Sequence, residues 1–245
     1  MSDFWIEANW PAPTHIHAGT TTRLYGNSMG SYKGLNLAMH VNDAVDTVQQ
    51  NRKLLTENLN LKTEPYWLQQ VHGNNIICLD DLKQYTPHIA DGSVTTAPNK
   101  VCVVLTADCV PILITDKDGS KIAAIHAGWR GICRGIIDNA CQHYNNLSDL
   151  LVWIGPSISA EQYEVGKNVV DSCIKYQTLT KDAFLQTDEN HWLCDLPLMA
   201  EHIFISKGVK KIFQSKLCTY SDATSFYSYR RDGETGRTAS MIWIE

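Results

Sequence analysis

Residues 101–131, Val-Cys-Val-Val-Leu-Thr-Ala-Asp-Cys-Val-Pro-Ile-Leu-Ile-Thr-Asp-Lys-Asp-Gly-Ser-Lys-Ile-Ala-Ala-Ile-His-Ala-Gly-Trp-Arg-Gly, decide how this chain folds. Three β-rich apolar runs, 101–106, 111–115 and 121–126, sit here, and the polar turn Asp116-Lys117-Asp118-Gly119 joins the last two as a hairpin. If all four turn residues form the loop, Thr115 pairs with Ser120 and Cys109 faces His126, with Cβ atoms about 4.5–5.5 Å apart. If only Asp118-Gly119 make a tight turn, His126 opposes Pro111 instead. Cys109 stays on the same face in either register, because strand side chains repeat every two residues.

A cysteine beside a histidine has three meanings. Both can be buried as core. The imidazole can deprotonate the thiol to give a nucleophile. Or thiolate and imidazole can bind zinc, one further ligand leaving an open catalytic position. The flanks favour chemistry. His126 leads into Ala127-Gly128-Trp129-Arg130-Gly131, where glycines free the backbone before a helix, and helix N-termini attract anions. Asp108 ends an apolar strand, where a charge needs a reason. Trp67-Leu68-Gln69-Gln70-Val71-His72-Gly73 supplies a histidine at a strand end and suggests His72 as the third ligand.

Outward from this segment, residues 19–42 are punctuated by Gly19, Gly26, Gly30 and Gly34 and lack helical period, which predicts an ordered loop. Asp43 is placed to cap a helix through residue 59. Short strands are expected at 66–71, 76–79, 150–154, 211–214, 226–229 and 238–244, and helices at 132–144, 167–176 and 198–207, the last ended by Gly208. His15-Ile16-His17 reads as an exposed N-terminal arm. Strands and helices mix without strict βαβ alternation, so the expected fold is α+β. The 245 residues show no repeat or linker and are expected to form a single domain over 1–245.

Composition limits the function. The chain is 44% apolar and 19% charged, an ordinary globule. Lys+Arg 21 against Asp+Glu 26 leaves −5, so no positive excess recruits nucleic acid or anionic membrane. No run reaches the length of a membrane span, and Met-Ser-Asp-Phe-Trp-Ile-Glu lacks the features of a signal peptide. A cytoplasmic setting follows, with the eight cysteines as free thiols. There is no CxxC, HExxH, GxGxxG or P-loop, and no HxE base-deaminase signature. Gly26-Asn27-Ser28-Met29-Gly30 fits GxSxG, but no apolar strand leads in, so it reads as a coincidental loop. Nine scattered histidines cannot hold four coppers.

Gln70-Val71-His72-Gly73, Ala90-Asp91-Gly92, Thr106-Ala107-Asp108-Cys109 and His126 through Gly131 together resemble the signature blocks of the laccase-domain family. It is also called polyphenol oxidase or YfiH-type and is described as purine nucleoside phosphorylases. Further blocks follow in order: Thr22-Arg23, Leu35-Asn36-Leu37, His40-Val41-Asn42-Asp43, Ile154-Gly155-Pro156, Tyr163-Glu164-Val165-Gly166, and Phe226 through Gly233 to Gly236-Arg237. Two departures stand out: Leu-Tyr-Gly-Asn-Ser-Met-Gly after Arg23, and Asn42 where glycine is common.

The resemblance implies zinc held by His72, Cys109 and His126, with copper less favoured, in a layered α/β/β/α domain with mixed, largely antiparallel sheets. It implies phosphorolysis of adenosine, inosine, guanosine and methylthioadenosine, and adenosine deamination, with purine nucleosides and phosphate as partners. Physically, phosphorolysis needs a bound oxyanion near the sugar C1′. The candidates are Arg23, Arg130 and Arg230; Asp91 or Asp108 is placed to handle a proton, and Asn36 and His40, in the glycine-punctuated loop, either satisfy local backbone or touch substrate. The alternatives are a Cys109/His126 thiol amidase or deamidase, a metal-stabilised scaffold, and a copper phenol oxidase. A monomer is compatible with all of them.

Overall fold

The computed structural model describes residues 3–82 and 88–245. Along them run β1 (Trp5–Glu7), β2 (Ile16–Thr21), α1 (Val45–Asn58), β3 (Ile76–Cys78), β4 (Gly92–Thr95), β5 (Val101–Thr106), β6 (Val110–Asp116), β7 (Ile122–Ala127), α2 (Trp129–Ile132) and α3 (Ile136–Cys141). Then follow β8 (Leu150–Ile154), β9 (Glu164–Gly166), α4 (Lys167–Tyr176), β10 (Phe184–Gln186), β11 (His191–Cys194), α5 (Leu196–Ser206), β12 (Lys211–Gln214), α6 (Tyr229–Asp232) and β13 (Thr238–Ile244).

The hairpin takes the tight turn. Thr115 pairs with Ile122, and Pro111 with His126. Its two strands lie in the middle of a six-stranded sheet, β12-β8-β6-β7-β4-β3, whose β12/β8 and β3/β4 pairs are parallel and the rest antiparallel. A four-stranded antiparallel sheet, β1-β2-β13-β5, stacks on it, and β10-β11-β9 form a small third sheet.

Alternation along the strands builds the layers. Cys102, Val104 and Ile242 from one sheet share a buried cluster with Leu113, Ile122, Ala124 and Trp153 from the other. The opposite residues, Val101, Val103, Leu105 and Met241, pack under Leu55 of α1 together with Leu35 and Leu37. On the far side, Ile112, Ile114, Ile125 and Val152 meet Ile137 of α3, Val170 of α4 and Ile203 of α5. The order is helix, sheet, sheet, helices: the α/β/β/α arrangement, α+β in class.

Several sequence expectations need correction. The supposed N-terminal arm is β2, a strand inside the sheet with Ile16 buried. Gly19 belongs there because a Cβ would collide with the Ile6 carbonyl and the Trp5 ring. The helix foreseen at 132–144 is broken by Gly135, at φ +86°, into α2 and α3. Residues 66–71 make only isolated bridges, at Tyr66 and Gln69. The run 226–229 is no strand: Phe226 and Tyr227 are buried, and Ser228 caps α6 by accepting from Arg231 N. Asp43 does not cap α1, whose N-cap is Ala44 with no side-chain cap bond; its carboxylate instead accepts from Ser28 Oγ at 2.6 Å and Asn36 Nδ2 at 2.8 Å. That bond also disposes of the GxSxG reading, since Ser28 is buried and tied down. Not all thiols are free: Cys133 and Cys173 are joined in a disulfide, which pins the end of α2 to α4.

Candidate metal centre

Three chain segments meet at one end of the stacked sheets. Cys109 precedes β6, His126 lies near the end of β7, and His72 sits in the segment between α1 and β3. One donor atom from each lies within 4.8 Å of the others. His72 Nε2 is 3.8 Å from Cys109 Sγ, and the two imidazoles meet edge to face with centroids 4.7 Å apart.

The observed register explains how Cys109 reaches His126. Val110 pairs with Ala127, so the next position back sets Cys109 against Gly128. A Cβ on Gly128 would fall 2.8 Å from Cys109 Sγ and 3.2 Å from His72 Cδ2. The bare glycine therefore keeps the space in which the three donors converge. The approach of Cys109 is set further by Asp108, which adopts φ +92°, a conformation an L residue holds only when its surroundings insist. Its carboxylate supplies that insistence: Oδ1 accepts from Thr219 Oγ1 and Oδ2 from Arg230 N, both at 2.7 Å.

Asp91 does the same for the two histidines. It is fully buried, and Oδ1 accepts from His126 Nδ1 at 2.8 Å and His72 N at 2.9 Å. Oδ2 accepts from Gly73 N at 2.6 Å and Val71 N at 3.2 Å. These bonds hold His72 at φ +57° and put the proton of His126 on Nδ1, leaving Nε2 to ligate. Burial would raise the Asp91 carboxyl; the hydrogen bond and charge of His126 and the backbone donors outweigh it and hold it low.

Electrostatics ready the sulfur. Burial would raise the Cys109 thiol, yet the His126 charge, with hydrogen bonds from both histidines, brings it down to about 6. Burial would likewise lower His126, but the Cys109 thiolate and Asp91 raise it to about 9. The cluster is thus a thiolate–imidazolium pair with a second imidazole beside it. His126 is 3% exposed, whereas His72 is open to solvent, so one side of the cluster is accessible.

One thiolate and two imidazoles form a nitrogen–sulfur donor set suited to zinc and to other borderline or soft ions, and three protein ligands leave a coordination position free. The residues present fit such an ion. The fit rests on the convergence of donors, the Gly128 cradle and the tautomer set by Asp91.

The other nominated residues divide. Arg230 belongs to the neighbourhood: it stacks on Tyr163 at 4.7 Å, and Nη1 donates to Glu164 O at 2.9 Å. Arg130, on α2 two residues after Gly128, is exposed and lies over Trp129 at 4.4 Å. Arg23 is committed elsewhere, with Nε and Nη2 on Lys33 O, Nη1 on Ala223 O and its face on Tyr227. Asn36 is sealed in, its Oδ1 accepting from Ala38 N and Arg237 N. Asp91 and Asp108 use both carboxylate oxygens to hold backbone and side chains. Arg23, Asn36, Asp91 and Asp108 therefore all brace their surroundings in this structure.

Sequence reasoning left His40 between backbone support and substrate contact and did not nominate Arg237. The His40 imidazole is held low by burial and then by the charges of Arg237, Arg52, His126 and His72. Arg237 feels Cys109 and Asp108. Both residues stand in signature blocks, but neither has a spacing that ties it to Cys109.

Among the described residues, no helix is long and apolar enough to cross a membrane. Residues 17–245 match the family described as multi-copper polyphenol oxidoreductase laccase. Purine nucleoside phosphorylase YfiH of Escherichia coli is 38% identical over 98% of this chain and 98% of its own. The purine nucleoside phosphorylase of Haemophilus influenzae is 39% identical over 98% and 99%. Among solved structures, a Neisseria meningitidis protein superposes with TM-score 0.94 at 35% identity over 99% of both chains. YlmD from Geobacillus stearothermophilus gives 0.89 at 28% over 98% and 96%.

Proposed function

The chain belongs to the multi-copper polyphenol oxidoreductase laccase family, and from that membership we propose that it is a zinc-dependent purine nucleoside phosphorylase with a secondary adenosine deaminase activity. The observation that carries the proposal is the convergence of His72, Cys109 and His126 on one point with an accessible side. A single three-ligand site suits Lewis-acid chemistry better than a multi-copper oxidation, which needs several metals held together.

When bound, the metal supplies a Lewis acid at its free position. The protein's own residues do the rest. Asp91 keeps Nε2 of His126 available and fixes the approach of His72. Asp108 sets the backbone before Cys109 and anchors the N–H of Arg230, so the Arg230–Tyr163 pair stays registered with the cluster. Tyr229, 61% exposed beside Arg230, and Val71, 49% exposed beside His72, offer apolar surface at the rim for a purine ring. In phosphorolysis a phosphate oxygen bonds to C1′ while the C1′–N9 bond breaks; the base leaves with the electron pair and takes up a proton.

The test is incubation of pure, metal-quantified protein with adenosine, with and without phosphate, separating adenine, inosine and hypoxanthine. Adenine that forms only with phosphate supports phosphorolysis, and inosine formed without phosphate supports deamination. No conversion of any purine nucleoside refutes the proposal. The lowered Cys109 thiol beside His126 favours a second reading, a thiol amidase or deamidase. Activity that survives a strong chelator would select it, and copper with oxygen-dependent phenol turnover would select an oxidase.

A further inference from the structure

We propose that Arg237 forms the oxyanion subsite that takes inorganic phosphate next to the metal cluster. This assignment rests on the phosphorylase reading and identifies the groups that reading requires.

The three arginines suggested by sequence are poorly placed for the task. Arg23 has three of its nitrogens on carbonyls. Arg230 is exposed, with Nη1 on Glu164 O and one face on Tyr163. Arg130 is exposed on a four-residue helix, its guanidinium lying over its neighbour's ring.

Arg237 is built in differently. Its N–H donates to Asn36 Oδ1 at 3.0 Å, its carbonyl accepts from Leu37 N at 3.4 Å, and the residue after it opens β13. Thr238 pairs with Thr106, the last residue of β5, so Arg237 lies at the sheet end from which the chain turns through Asp108 into Cys109. The preceding Gly236 is pressed against the Tyr227 ring, where a Cβ would come within 2.6 Å. The backbone carrying the guanidinium is therefore held on both sides.

The guanidinium itself is half satisfied. Nη1 donates to Thr235 O at 2.7 Å and Gly236 O at 2.9 Å. Among the described residues, Nε and Nη2 have no hydrogen-bond partner and no carboxylate forms an ion pair with it. The nearby carboxylate, Asp108, has both oxygens engaged by Thr219 and Arg230. A largely buried cation without a counter-ion is costly, and burial is the main cause that holds the Arg237 pKa below its ordinary value. The free Nε–Nη2 edge is the geometry that binds two oxygens of a phosphate in parallel. An anion held there would sit beside whatever occupies the open side of the cluster, as attack at C1′ demands. The guanidinium neutralises phosphate and orients it; it moves no proton.

The experiment compares metal-loaded wild type with Arg237→Gln and Arg237→Lys. Metal content and melting temperature are checked first. The expected result for Arg237→Gln is a phosphate KM raised at least about tenfold, the loss of a charged hydrogen-bond pair, with nucleoside KM and metal stoichiometry kept. Arg237→Lys, which keeps charge but loses the fork, should fall between the two, and it decides the matter if the glutamine variant fails to fold. An unchanged phosphate KM in the arginine variants, with wild type an active phosphorylase, overturns the subsite. If wild type shows no phosphate-dependent cleavage, the underlying reading fails instead. Calorimetric titration with inorganic phosphate then judges the subsite alone: saturable binding lost in Arg237→Gln supports it, and no binding overturns it.

Discussion

Replacing Asp91 with asparagine should weaken metal binding by a predictable route. The carboxylate accepts four hydrogen bonds, two on each oxygen. An amide retains one accepting oxygen and converts the other site into an NH2 donor. If the NH2 faces Val71 N and Gly73 N, two backbone donors that hold His72 lose their acceptor. If it faces His72 N and His126, the imidazole is induced to accept at Nδ1, and the proton moves to Nε2, the atom needed for the metal. Either orientation strands buried donors at about 1–3 kcal/mol each and disturbs one histidine ligand. Loss of such a partner typically costs roughly 10–100-fold in metal affinity, or about 1.4–2.7 kcal/mol. Competition against a chromophoric chelator measures the affinity, and thermal melting of the metal-free form measures the stability. Asp91→Asn with affinity within twofold of wild type would refute the claim that this carboxylate sets the ligands.

Gly128→Ala should keep the fold but lower metal affinity, because the added methyl falls 2.8 Å from Cys109 Sγ; chelator competition against a folded variant tests it. The metal-free Cys109–His126 pair has a defined pH window. Cys109 is lowered, so its stabilising contribution is complete above its ordinary thiol range and fades as pH falls through about 6. His126 is raised, so its contribution is complete below its ordinary range and fades as pH rises through about 9. Between these limits metal binding should release about one proton, from His126, and calorimetry in buffers of different ionisation enthalpy reads that number; no release at pH 7 contradicts the pair. Thiol titration of the denatured, unreduced protein should find six cysteines and, after reduction, eight. The bridge spans a sequence separation of 40, worth about 4 kcal/mol in the chain-entropy account, so reduction should lower the melting temperature.

The hairpin was legible because its two registers share one face, so Cys109 and His126 fall together whichever turn forms. What periodicity could not show is that Cys109 lies just outside its strand and meets His126 across a glycine. That depends on the φ of Asp108, set by Thr219 and Arg230 from more than a hundred residues away. The bracing role of Asp91 was hidden for a similar reason: a carboxylate's partners are tertiary, and composition does not reveal them. Strand β2 was obscured because its glycine and histidines weaken the apolar alternation, while pairing on both sides overrides local propensity. The Cys133–Cys173 bridge joins two helices that carry no common motif. Arg237 gave no signal of its own, since its significance is a missing counter-ion, which only a folded chain can display.

The three donors arrive from three separate stretches, with a sequence separation of 37 between His72 and Cys109 alone. No pair of them sits on adjacent helical turns or in a short loop, so a nascent chain offers an ion no chelate to nucleate around. The strands β4, β6 and β7 must already be paired before the ligands meet. An ion taken up there would therefore be a late arrival that follows folding. It stabilises the finished protein only by mass action, in proportion to the logarithm of its free concentration over its dissociation constant. Under the metal-dependent reading, protein made without the ion would accumulate folded and empty, ready to be loaded by supply alone.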